Sequence, residues 1–184
     1  MLDALNPDLI RRAQDGETIV VSEIYDRYQR SIFRYLYYRV GDQQTAEDLT
    51  SEVFLRMIEK ISMYQEQRTS FQAWLFQIAR NLSIDHYRKM KARNTASLEE
   101  DHPEMGEQPL ELINRELTSE KLCQALVELP GNQRDVIVMR FVVGMPILEV
   151  AETLHKTEDS IKGLQRRALI ALKEILIEWE VTYV

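Results

Sequence analysis

The sequence predicts an all-α protein: two small helical domains joined by an acidic flexible linker, with a helix-turn-helix in the C-terminal one. Apolar residues recur three and four apart through most of the chain, and a period of two never persists. Residues 94–109 shift to Ser, Thr, Glu, Gly and Pro with few apolar side chains, the signature of a linker. Residues 144–173 then read as two short amphipathic helices joined by a tight turn. The expected boundaries are 1–93, 94–109 and 110–184, and no internal repeat is evident.

At 184 residues, each half is long enough to bury a core. No apolar run is long enough to cross a membrane, and Asp3, Asp8, Arg11 and Arg12 interrupt any signal peptide, so direct membrane insertion is not expected. The single cysteine, Cys123, excludes an internal disulfide and fits a reducing cytoplasm. With His86, His102 and His155 it forms no metal-ligand spacing, so neither a metal nor a cofactor is expected.

A net charge of −7 opposes nucleic-acid binding at first sight. Its distribution says otherwise. Residues 80–93 set Arg80, Arg88, Lys89, Lys91 and Arg93 against Asp85 alone, whereas residues 99–112 carry Glu99, Glu100, Asp101, Glu104, Glu107 and Glu111 with no Lys or Arg. Basic patches therefore survive, although a protein this acidic should bind free DNA poorly and do better with a larger partner.

The helices follow in order. Asn6-Pro7 opens a short one that Gly16 closes. A second runs from about Ser22 to Val40, with Ile24, Tyr28, Ile32, Tyr35 and Arg39 marking its turns, and Gly41 ends it. Its aromatics should pack between helices with hydroxyls at the surface. The third spans about Thr45 to Ile61 on a Leu49, Val53, Met57, Ile61 stripe supplemented by Phe54 and Ile58. Its other side shows Glu47, Asp48, Ser51, Glu52, Arg56 and Glu59: a solvated face, or an acidic surface for a basic partner. Nothing there pushes two carboxylate pKa values apart, so acid–base catalysis is not indicated.

After a polar connector, Met63–Thr69, Ser70 can cap a fourth helix beginning at Phe71. Phe71, Leu75, Ile78 and Leu82 face inward, and Trp74 and Phe76 lie partly off that stripe. Aromatics followed by Arg80, Asn81, Arg88 and Lys89 combine stacking groups with phosphate and base-edge donors, as single-strand binding requires. A helix with core aromatics and a soluble basic end fits equally well. Beyond the linker, a helical pattern through Leu110, Ile113, Leu117, Leu122, Leu126 and Leu129 breaks at Pro130-Gly131, and another helix spans Arg134 to Phe141.

In the helix-turn-helix, Ile147, Val150, Ala151 and Leu154 form the first apolar stripe, and Thr157 caps the second helix. Ile161, Leu164, Ala168 and Leu172 face inward. Ser160, Lys162, Gln165, Arg166 and Lys173 face out, and such donors suit a major groove. An amphipathic surface helix of any bundle shows the same pattern. The turn lacks a glycine, and Gly163 weakens the second helix by about 1 kcal/mol relative to alanine.

Taken together, IYDRYQRSIFRYLYYRVGDQQTAEDLTSEVFLRMIEKI, FQAWLFQIARNLSIDHYRK and LPGNQRDVIVMRFVVGMPILEVAETLHKTEDSIKGLQRRALIALK, in this order across an acidic linker, resemble the extracytoplasmic-function sigma factors of bacterial RNA polymerase. The resemblance covers nearly the whole chain. It implies a transcription initiation factor, not an enzyme, with core RNA polymerase, promoter DNA and an anti-sigma factor as partners. Asp48, Ser51 and Glu52 would contact polymerase, although Ser51 replaces the family's usual glutamine. Trp74, Arg80, Asn81, Asp85, Arg88 and Lys89 match the segment that reads and melts the downstream promoter element, with Asp85 orienting Arg88. Ser160, Lys162, Gln165 and Arg166 match the helix that reads the upstream element. The acidic linker could thread a basic polymerase channel. The competing reading is a helix-turn-helix regulator acting without polymerase, which leaves the aromatic–basic N-terminal half unexplained. An enzyme finds no phosphate loop, metal cluster or nucleophile–base pair here.

Overall fold

A computed structural model of the chain describes residues 5–96 and 120–182. All regular structure among them is helical. The expected linker from residue 97 onward, and the pattern at Leu110, Ile113 and Leu117, lie outside the described residues.

Helix α1 (Pro7–Gln14) starts where expected, with Asn6 Oδ1 accepting from the Asp8 amide at 3.0 Å. Helix α2 (Thr18–Val40) begins four residues before Ser22, and Gly41 closes it at φ +82°. Helix α3 (Gln43–Lys60) is capped by Asp42, whose carboxylate accepts from the Thr45 amide at 2.6 Å. A 3₁₀ turn (Ile61–Met63) leads into the connector. Ser70 Oγ then accepts from the Ala73 amide at 3.2 Å and starts α4 (Phe71–Ala96), which continues past the expected boundary at residue 93.

Helix α5 covers residues 120–128. Proline at 130 breaks the chain as expected, but the next helix starts at once: α6 (Gly131–Ile137) precedes the expected Arg134. It passes into a π-helical segment, Val138–Val143, that Gly144 terminates at φ +86°. Helices α7 (Ile147–Leu154) and α8 (Glu158–Thr182) form the helix-turn-helix. Its turn uses His155 at φ +51°, the one non-glycine residue with positive φ among those described. Thr157 Oγ1 accepts from the Ser160 amide at 3.2 Å, so the expected cap is formed.

The two halves pack on each other and share one buried cluster. In the N-terminal half it gathers Ile24, Ile32 and Leu36 of α2, Val53 and Met57 of α3, and Leu75 of α4. In the C-terminal half it gathers Val136, Met139, Met145, Val150, Ile161 and Ala168. Helix α2 meets the π-helical segment, and α4 meets α7.

This double-sided packing explains where single-stripe reasoning fails. Phe76, expected off the apolar stripe, is fully buried and meets Tyr35 edge-on at 5.5 Å, because α4 has helices on two sides. Tyr35 likewise points its hydroxyl inward, not to the surface. Ile58, expected in the core, is 51% exposed, because no described helix covers that side of α3. Cys123 donates its thiol towards the Tyr37 carbonyl, and burial pushes its pKa up to about 11, which leaves it a poor nucleophile.

A left-handed backbone at His155 sets a test of the turn. His155→Val should cost about 1–2 kcal/mol in urea unfolding, since a β-branched residue resists this conformation, whereas His155→Gly should cost nothing. Equal stability of all three chains would show that the turn does not require positive φ.

Candidate nucleic-acid interface

Two surfaces carry the residues that the sequence singled out. The first is the outer side of α8. Ser160, Lys162 and Arg166 are exposed on its first turns, where a groove-reading helix makes its base contacts. Lys162 leans 2.9 Å onto Asp159, an exposed pair that a phosphate can displace. Gln165 differs from expectation: it is half-buried, and its Oε1 is enclosed without a hydrogen-bond partner. Arg167 is exposed beside this edge and was not singled out. A Cβ at Gly163 would meet only the Arg167 side chain, at 3.7 Å, so no close packing within the chain demands the glycine.

The second surface is a cleft of about 500 Å³ between the end of α3 and the middle of α4. Its cations are Arg56, Lys60, Arg80 and Arg88, set against the lone carboxylate of Asp85. Ile78, Leu82 and Ile84 supply apolar lining, and Asn81 adds an amide. Cations beside apolar surface are what an unstacked strand needs. The sequence reading placed Arg56 on the outer acidic face of α3 without a nucleic-acid role, and it did not single out Lys60. Asp85 Oδ1 lies 3.5 Å from Arg88 Nη1, one turn along α4, with both side chains exposed. Lys89 is exposed on the same helix, outside the cleft lining. Trp74 is elsewhere: it packs on Tyr64 at 5.0 Å and Phe71 at 5.5 Å in an aromatic cluster at the start of α4.

On α3, Asp48 and Ser51 are exposed and Glu52 is partly buried. Glu52 holds Arg56 at 2.7 Å, Gln44 reaches Asp48 at 3.4 Å, and the Ser51 hydroxyl turns back to the Glu47 carbonyl at 3.2 Å. Leu55 and Ile58, 57% and 51% exposed, continue this face, so it mixes acidic and apolar groups as a protein interface does.

Between the two surfaces lies a feature that the sequence reading missed. Asp135 of α6 is fully buried. Its Oδ1 accepts from the Tyr35 hydroxyl at 2.9 Å and lies 3.2 Å from Arg39 Nε. Its Oδ2 accepts from Arg80 Nε at 2.9 Å. Burial, and then the adjacent carboxylate, hold the Tyr35 phenol well above its ordinary pKa, so it stays a donor. Neighbouring Arg134 reaches the Arg39 carbonyl at 2.8 Å and the Tyr87 hydroxyl at 3.1 Å. An aspartate directly before the apolar run Val136–Met139 was the available signal, since a buried charge demands partners.

Residues 24–93 match the Sigma-70 region 2 family and residues 125–174 the Sigma-70 region 4 family. The ECF RNA polymerase sigma factor BldN of Streptomyces coelicolor is 38% identical over 92% of this chain, which spans 65% of BldN's length. The ECF RNA polymerase sigma factor SigX of Bacillus subtilis is 32% identical over 82% of this chain and 80% of its own length. The chain belongs to the ECF sigma factors. The fold agrees with that of the sigma factor RpoE of Bartonella quintana, solved with the anti-sigma factor NepR: the TM-score is 0.69 at 21% identity, over 84% of this chain and 95% of RpoE.

In this sigma factor the cleft lies in region 2 and the exposed edge of α8 in region 4. No helix among the described residues is long and apolar enough to cross a membrane.

A second junction joins the regions at the N-terminus of α4. Glu152 of α7 accepts from the Ser70 amide at 3.0 Å and from Thr69 Oγ1 at 3.2 Å. Glu149, one turn earlier, has an enclosed Oε2 without a partner. Burial raises its pKa, Ser70 opposes the shift, and Glu152 adds to it. A raised folded pKa contributes stability at low pH that is lost as pH rises through it. Glu149→Gln should therefore match the wild type in urea stability below the ordinary carboxylate range and exceed it at neutral pH. A gap that does not change with pH would show that Glu149 ionises as freely as in the unfolded chain.

Proposed function

We propose that this sigma factor binds core RNA polymerase and directs it to specific promoters. Helix α8 reads the upstream element through Ser160, Lys162 and Arg166, with Gln165 joining if its side chain swings out. The α3–α4 cleft receives the unpaired downstream strand on Arg56, Lys60, Arg80, Asn81 and Arg88. Asp85 steadies Arg88, Lys89 adds charge along the strand, and Trp74 supports the platform from within. Asp48, Ser51 and Glu52, with exposed Leu55 and Ile58, form the polymerase-binding face of α3. The expected domain division, 1–93 and 110–184 around the 94–109 linker, fits these roles.

One observation carries this reading: a single chain holds both a cation-lined cleft with apolar walls, within the residues that match region 2, and an exposed groove-sized helix that starts within those that match region 4. A stand-alone helix-turn-helix regulator has no use for the cleft. The protein works by binding alone, without catalysis or cofactor, in the cytoplasm where polymerase is. Its acidic total keeps it off free DNA, and tethering by polymerase raises the effective concentration of each weak contact. An anti-sigma factor, like the one solved with RpoE, is its expected restraint.

Run-off transcription with core polymerase on a randomised promoter library tests the function: transcripts should appear only when this protein is added. None with it present would refute the reading. Within that assay, Arg166→Ala should weaken use of the upstream element by about 1–3 kcal/mol while sparing templates opened artificially downstream. Equal loss on both templates would place Arg166 in the fold. Asp48→Lys should reduce recovery of core polymerase in a pull-down with an unchanged circular dichroism spectrum, because it sets a cation against a basic partner face. Full recovery would remove Asp48 from that face.

A further inference from the structure

We propose that Gly163 sets how deeply α8 enters the major groove: the missing side chain at the crown of the helix brings the backbone close enough to the base edges for the short side chain of Ser160 to read one. The inference rests on the reading of α8 as the helix that reads the upstream element, and it adds a positioning residue to that site.

Gly163 lies on the side of α8 turned away from the protein. Ile161 and Ala168 are fully buried, and at about 3.6 residues per turn position 163 falls about half a turn from both. Its neighbours along the outer face are Asp159 and Ser160 in the preceding turn and Arg166 and Arg167 in the next, all exposed. Gly163 itself is only partly exposed, because the Arg167 guanidinium lies over it. Arg167 Nη1 is 3.7 Å from where a Cβ would stand, an ordinary contact with the far end of a flexible side chain.

Packing within the described residues does not account for this glycine. Its backbone is helical, so the conformational freedom of glycine is not used, and beyond the helix's own turn only Arg167 comes within 4 Å of the Cβ position. A glycine in a helix interior is less stable than an alanine. That loss falls in the middle of the face offered to DNA, which places the use of the glycine outside the chain.

Groove dimensions make the crown decisive. A helix with its side chains is about 10–12 Å across, and the major groove is about 12 Å wide and about 8.5 Å deep, so whatever stands at the crown limits insertion. Lys162 and Arg166 have long stems and reach base edges from a distance. Ser160 carries its hydroxyl on a single carbon, and its amide is held by Thr157 Oγ1 at 3.2 Å, so the helix itself has to come to the bases. One turn beyond Ser160, the bare Cα of Gly163 gives that clearance once Arg167 swings aside.

The test is run-off transcription by core polymerase with the full chain, on a promoter selected from the randomised library and on the same promoter with its upstream element scrambled. The ratio of the two measures upstream reading, and urea unfolding of the free chain is the second readout. Gly163→Ala should raise the urea midpoint yet lower the ratio about tenfold, roughly the loss of one base contact, and Gly163→Leu should lower the ratio further. Ser160→Ala should lower the ratio in the wild-type chain but change nothing more once Gly163→Ala is present. Arg166→Ala should lower it by the same factor in either background. A Gly163→Ala chain that is more stable and reads the upstream element as well as the wild type would overturn the proposal. A lowered urea midpoint would overturn it too, because the demand for glycine would then lie inside the fold. So would Ser160→Ala and Gly163→Ala losses that simply multiply, since Ser160 would not depend on Gly163. A wild-type chain that transcribes both promoters equally would overturn the reading of α8 itself, and the proposal with it.

Discussion

Asp135 is the group on which this arrangement depends. A fully buried carboxylate must be paired, and its partners here are Tyr35 and Arg39 from α2 and Arg80 from α4, so one side chain of the C-terminal half fixes two helices of the other. Removing one member of such a buried set costs about 3–5 kcal/mol, because the remaining charges lose their compensation. Much of the neighbouring geometry follows. Gly131 begins α6 with its backbone against Arg39, where a Cβ would stand 3.3 Å from the guanidinium. Arg134 turns the other way and ties the end of α2 to Tyr87. Arg39 in turn lies over the Tyr87 ring at 5.7 Å.

The same interaction links fold to function. A sigma factor has to present one region to single-stranded and the other to duplex DNA. In this structure the Ser160, Lys162 and Arg166 edge of α8 is exposed, while Arg80, one of the four cations of the α3–α4 cleft, pairs with Asp135 of the other region. Asp135 and Glu152 of region 4 accept from Arg80 and from the Ser70 amide of region 2.

Much of this was legible in the sequence because it is local. Asn6-Pro7, Gly41, Ser70 and Thr157 mark helix ends through single hydrogen bonds or one left-handed residue, and all four hold. The stripes of α7 and α8 hold too, with Val150, Leu154, Ile161 and Ala168 buried. Family resemblance supplied the roles of the two regions. What could not be read was long-range. Phe76 and Tyr35 are buried because two halves meet, and Ile58 is exposed because nothing described covers it. The pairing of Arg80 with Asp135, fifty-five residues apart, has no periodicity to announce it. Asp135 gave only the hint of a charge beside an apolar run, and Arg56 was read as one member of the acidic face on which it lies.

Distance between the two regions tests the central claim most directly. Spin labels on exposed positions of α3 and α8, for instance Glu59 and Lys173, report it by pulsed electron resonance in the free protein and in the complex with core polymerase. The account requires one short, narrow distance distribution for the free chain and a clearly longer one in the complex. A short distance retained in a transcribing complex would contradict it, because Arg80 would still be held by Asp135 while the strand is open.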